Sequence, residues 1–120
     1  MCITIYAKGT EGVKQAVSSA EPVAIKKLVA YQNGTIASRT LINKNAGSVT
    51  VFAFDEGQEL SEHTSPYDAL VIALDGKADV ILSGDLFHIL EGQILIIPAN
   101  QPHALRASTK FKMLLVMIRK

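Results

Sequence analysis

The stretch "SEHTSPYDALVIALDG", from Ser61 to Gly76, sets one histidine just ahead of an apolar run that an Asp-Gly turn closes. Side chains two apart in a strand share a face, so a metal site built on alternation would ask for a second ligand at residue 65. Ser65 stands there, and Ala69, four further on, has no coordinating atom at all. The stretch reads as a strand with a histidine at its entrance, where a strand pair opens. Whether that histidine belongs to a metal site is settled by the rest of the chain.

Working outward, the periodicity is mostly two rather than 3.6. "GTIASRTLI" (34–42), "SVTVFAF" (48–54), "DALVIAL" (68–74), "ADVILS" (78–83), "LFHIL" (86–90), "QILIIP" (93–98) and "KFKMLLVMIR" (110–119) are short, apolar and rich in β-branched residues. Between them stand Asn33-Gly34, Asn43 to Gly47, Asp75-Gly76, Ser83-Gly84-Asp85 and Glu91-Gly92, which are turn chemistry. Strands spaced this closely and punctuated this way predict an antiparallel sandwich or barrel. Helix signals are weak: "TEGVKQAVSSA" (10–20) suits one short helix, "VAIKKLVAY" (23–31) suits helix or strand, and the opening "CITIYA" alternates like an edge strand. The expected division is a segment 1–33 that packs on or extends a barrel formed by residues 34–120.

The chain has 120 residues, 48% hydrophobic and 19% charged, which is enough for one domain with a real core. Its net charge of +1 gives no electrostatic reason to capture nucleic acid. The five Lys and Arg after Gly92 are scattered through an apolar pattern and read as a solvated strand face. The one cysteine, Cys2, cannot form an internal disulfide and suits a reducing compartment. Charged residues at 8, 11 and 14 interrupt the place where a signal peptide needs its apolar core. "ALVIAL" and "MLLVMI" are far shorter than a membrane span. The expectation is a soluble cytoplasmic protein.

Two of the three histidines stand in a repeated Gly and Pro framework. In the first half Gly57 precedes His63 by five intervening residues and Gly76 closes the run; in the second Gly92, Pro98 and His103 follow in order. This resembles the two motifs of the cupin superfamily, in which a small single-domain member folds as a jelly-roll, a double-stranded β-helix barrel. The resemblance covers roughly residues 34–118. It implies an all-β fold with His63 and His103 converging inside the barrel on one metal ion. The motif is degenerate: Ser65 replaces a second histidine, Ala69 a glutamate, Asn100 a glycine and Ala107 an asparagine. Only His63 and His103 keep a ligating atom of the expected kind.

Two imidazoles make a poor transition-metal site, because catalytic sites usually take three or more protein ligands. Glu62 and Asp68 lie at odd separations from His63, on the opposite face of a straight strand. Glu59 has the right parity but lies about 13 Å along it, and a bend at Pro66 is the only route by which Asp68 could return. Ser65 is suited to hold a water or a substrate oxygen. Inward-facing Ala69 and Ala73 leave space, so a cavity lined by Phe, Val and Ile, with His63, Ser65, His103 and Tyr67 as polar groups, has the make-up of a small-molecule site. His88 is expected to face solvent, with Phe87 and Ile89 inward.

The implied function is a binding cupin that takes a small polar molecule inside the barrel, with a reduced or absent metal site. The alternative is a metal-dependent enzyme of dioxygenase, isomerase or decarboxylase type using His63 and His103. The cofactor, if any, is one weakly held divalent ion, Zn, Fe, Ni or Mn. "ALVIAL", "ILIIP" and "MLLVMI" are apolar on both faces, so the outer face needs a cover, and a homodimer supplies one. No nucleic acid or membrane partner is expected.

Overall fold

The computed structural model describes residues 21–119, and they form two packed antiparallel sheets. The strands are β1 (Ile36–Lys44), β2 (Gly47–Phe54), β3 (Glu59–His63), β4 (Asp68–Asp75), β5 (Lys77–Leu82), β6 (Asp85–Leu90), β7 (Ile94–Ile97), β8 (His103–Ala107) and β9 (Phe111–Ile118). One sheet runs β1-β2-β9-β4-β7 and the other β3-β8-β5-β6. This is the all-β jelly-roll that the strand pattern and the motif pair predict. The amino-terminal "CITIYA" strand and the helix over 10–20 lie outside the described residues. Of "VAIKKLVAY" only a single 3₁₀ turn, Ile25–Lys27, is regular.

Two of the nine strands are not among the seven apolar runs. "ELSEH" is polar at almost every position, and "HALRA" is short and interrupted by Arg106. They pair with each other along β3 and β8, and His63 closes its strand rather than opening one.

Alternation sorts the side chains between two environments. Along β9, Phe111, Met113, Leu115 and Met117 turn inward and are buried, while Lys112, Leu114, Val116 and Ile118 turn out. Inward residues of both sheets, among them Phe52, Phe54, Val71, Val80 and Leu105, make one core. The turn between β4 and β5 requires its glycine. Gly76 has φ +73°, and a Cβ there would lie 1.9 Å from the Lys110 carbonyl oxygen.

A second, smaller core lies on the outer face of the five-stranded sheet. Val29 is buried there with Ala37, Val51 and Ala53, and Ile25, Leu28, Tyr31, Leu41, Leu74 and Leu114 pack around them. Polar contacts pin this cover. The Tyr31 hydroxyl donates to Asp75 at 2.5 Å, Arg39 donates to the Leu28 carbonyl at 3.0 Å, and the Lys112 ammonium donates to the Lys26 carbonyl at 2.6 Å. Burial and the Asp75 carboxylate push the Tyr31 hydroxyl well above the usual phenol range, so it stays a donor.

Candidate functional site

His63 and His103 are direct cross-strand partners of β3 and β8. Side chains at such a position start only about 5 Å apart. Their ring centroids are 4.3 Å apart and the rings meet edge to face at 62°. Each ring is oriented by the same device. His63 Nδ1 lies 2.7 Å from the Ser61 carbonyl oxygen, and His103 Nδ1 lies 2.9 Å from that of Gln101. A carbonyl can only accept, so each Nδ1 carries a proton. In the neutral ring Nε2 is then a bare acceptor, the tautomer that metal-binding histidines use.

Two acceptors cannot satisfy each other. His63 Nε2 is buried and has no hydrogen-bond partner among the described residues. It looks into a cavity of about 20 Å³ lined by His63, His103 and Ser65, with Ala69, Met117 and Leu115 among its apolar neighbours. That volume holds about one water, and ligand pockets are typically hundreds of Å³. An unpaired buried nitrogen costs on the order of 1–3 kcal/mol, so the site asks for a donor or a cation. Burial holds His103 below the ordinary imidazole range; the Gln101 carbonyl opposes this and the charge of a neighbouring His63 adds to it. The ring is therefore neutral and able to ligate near pH 7.

The remaining sequence candidates separate. Ser65 is buried on the cavity wall, where its Oγ accepts the Tyr67 amide at 3.2 Å. Tyr67 itself is not on the wall; its ring packs against the core with the Arg119 guanidinium 5.9 Å above it. Ala69 lines the cavity and Ala73 is buried, as the spacing suggests, but aliphatic and methionine side chains fill most of the room they leave. Leu, Val, Ile and Met form the apolar lining, without Phe.

The carboxylates do not come in. The β3–β8 register slips between Leu60 and His63, so three steps on one strand match two on the other. This bulge brings Leu60 and His63 to the same wall and leaves Glu59 outside, opposite Arg106. The parity argument for Glu59 fails for that reason. Asp68 is exposed and accepts the Ala99 amide at 2.8 Å. Among the described residues no three His, Cys, Asp or Glu side chains form a metal cluster. The chain thus fits a metal only through two imidazoles. His88 is exposed and lies 2.6 Å from Asp79, as its outward reading predicts; Phe87, expected inside, is 42% exposed because β6 is a sheet edge.

The framework explains one departure from the motif. Asn100 occupies a glycine position with φ +66°, a conformation that Asn tolerates better than most residues. Its amide donates to the Ser65 carbonyl at 2.7 Å, tying the two motif segments together beside the site.

A family model described as "Cupin domain" matches residues 50–119. No curated protein matches the chain. Among solved structures, a conserved protein of unknown function from Streptococcus pyogenes is 36% identical, with 87% of this chain and 91% of that one covered and a TM-score of 0.83. A cupin 2 conserved barrel domain protein from Leptotrichia buccalis is 37% identical over 78% of this chain and 46% of that one, with a TM-score of 0.76. A cupin superfamily protein from Desulfitobacterium hafniense, 22% identical with a TM-score of 0.82 over 87% and 95% of the two chains, shares the fold.

Proposed function

This chain belongs to the cupin family, and we propose that it is a binding member whose barrel captures one guest of about water size between His63 and His103, a metal ion foremost. The buried, unpartnered His63 Nε2 facing a second imidazole of the same tautomer carries this reading. The two Nε2 atoms would hold the ion, with Ser65 on the wall beside it. A bound ion would supply a Lewis-acid centre. The competing reading, an enzyme of dioxygenase, isomerase or decarboxylase type, has weaker support. The cavity is too small for an organic substrate, and among the described residues Ser65 is its only polar side chain besides the two imidazoles.

Equilibrium dialysis against Co(II) or Zn(II) tests the reading. The wild-type protein should take up one ion per chain and lose it to a strong chelator; His63→Gln and His103→Gln should take up none. Equal uptake by the variants would refute it.

A homodimer is part of the proposal. The amino-terminal cover protects the β1–β2 side of the outer face and leaves Leu70, Ile72, Val116, Ile94, Ile96 and Ile118 on the other side. The last three are 58%, 61% and 56% exposed. The strand registers place Ile96, Leu70 and Val116 in one row and Ile94 and Ile72 in the next, so the patch is continuous. A twofold-related copy would cover it with the same surface.

A further inference from the structure

Among the described residues, the side-chain donor atoms on the cavity wall besides the two imidazoles and Ser65 are the thioethers of Met113 and Met117. The two methionines are four residues apart on one face of β9, so about 13 Å of strand separates them. Met113 pairs with Phe52 and Ala73, at the end of the barrel filled by phenylalanines. Met117 pairs with Ser48 on β2 and with Ala69 on β4, two small residues. Its buried side chain therefore lies on the cavity wall beside Ala69, the position where the motif framework would place a carboxylate.

We infer that the centre is a soft-metal site, in which Met117 joins His63 and His103 as a third ligand and copper(I) is the ion it selects. This rests on the two-histidine reading and names its metal. Three properties of the site agree on a monovalent soft ion. Thioether sulfur favours Cu(I), whereas Mg, Ca and Mn prefer oxygen donors. No carboxylate enters the cavity, so a divalent ion taken up by the two imidazoles is held at a larger cost than a monovalent one, because the penalty for burying charge rises steeply with its magnitude. Finally, a cavity of about 20 Å³ has no space for several waters, which leaves a four- to six-coordinate ion weakly held, while Cu(I) accepts two or three ligands.

The test is an anaerobic Cu(I) titration of the full chain against a chromophoric Cu(I) chelator, with X-ray absorption at the copper edge. A Cys2→Ser background removes the chain's one thiol, which would bind Cu(I) by itself. One equivalent should bind, with a sulfur shell in the absorption spectrum. Met117→Leu, which keeps volume and fold, should erase that shell and weaken Cu(I) binding about tenfold or more, since loss of even an outer-shell partner costs 10–100-fold. Met113→Leu should change neither, nor should it alter Co(II) uptake through the histidines. A copper shell of nitrogen and oxygen alone, or unchanged affinity in Met117→Leu, overturns the thioether ligand but leaves the two-histidine centre standing. Failure of both Co(II) and Cu(I) to bind the parent protein overturns the two together.

Discussion

The two ends of the barrel interior are built from the same strands and filled in opposite ways. On β2 the inward positions run Ser48, Thr50, Phe52, Phe54, and only the last two are buried. At the phenylalanine end the Phe52–Phe54 and Phe54–Phe111 ring centroids are each 5.9 Å apart in tilted contact, and Ile36 completes the packing. At the histidine end Ser65 and Ala69 stand among two imidazoles, and a cavity remains. One end fills its space and gives stability. The other forgoes packing and, among the described residues, keeps the buried His63 Nε2 without a partner.

The largest expected effect breaks the comparison at its packed end. Phe54→Ala or Phe111→Ala removes a fully buried ring and should cost about 3–5 kcal/mol in denaturant unfolding. His63→Ala, which deletes the orphaned nitrogen, should change stability by less than about 1 kcal/mol while abolishing metal uptake. Equal losses at both ends would remove the division of labour.

A smaller effect is expected on the outer face. Ile72→Lys places a charge in the middle of these apolar rows and should convert the proposed dimer to monomer or aggregate while keeping β-structure. Light scattering reads this directly. A wild-type protein that stays monomeric at high micromolar concentration would point to residues 1–22 as the cover, and their deletion should then cause aggregation.

The smallest effect is a pH dependence confined to the histidine end. The folded-state pKa of His103 lies below its unfolded value of about 6.5, because burial disfavours the charged ring. The unfolded chain therefore takes up its proton first as pH falls. The contribution to stability is fully present above about pH 6.5 and is lost as pH drops from there through the folded pKa. Denaturation midpoints between pH 7 and 5 should fall less in His103→Gln than in wild type. Bound metal should leave over the same window, since protonated imidazoles cannot ligate.

Much of this architecture is legible in the sequence because seven strands carry apolar alternation and the five turns between them carry Gly. "ELSEH" lacks that signal: β3 is a sheet-edge strand, and most of its side chains meet solvent. The meeting of His63 with His103 is what the resemblance of the two Gly and Pro frameworks to the cupin motifs implies. The outward turn of Glu59 could not be read there, because it depends on a bulge that nothing in the residues announces. Cavity size was equally hidden. Counting alanines suggests room, but whether long methionines fill it is decided by three-dimensional packing.

The central claim is that His63 and His103 both carry their proton on Nδ1 and aim bare Nε2 atoms at one shared guest. Long-range ¹⁵N–¹H spectra of the imidazoles at pH 7.5, before and after one equivalent of Zn(II), test it most directly. The account predicts the Nδ1–H tautomer for both rings in the free protein, and a shift of both Nε2 resonances, with His88 unmoved, once the ion is added. A proton on Nε2 of either ring, or Nε2 resonances that ignore the ion, would contradict it.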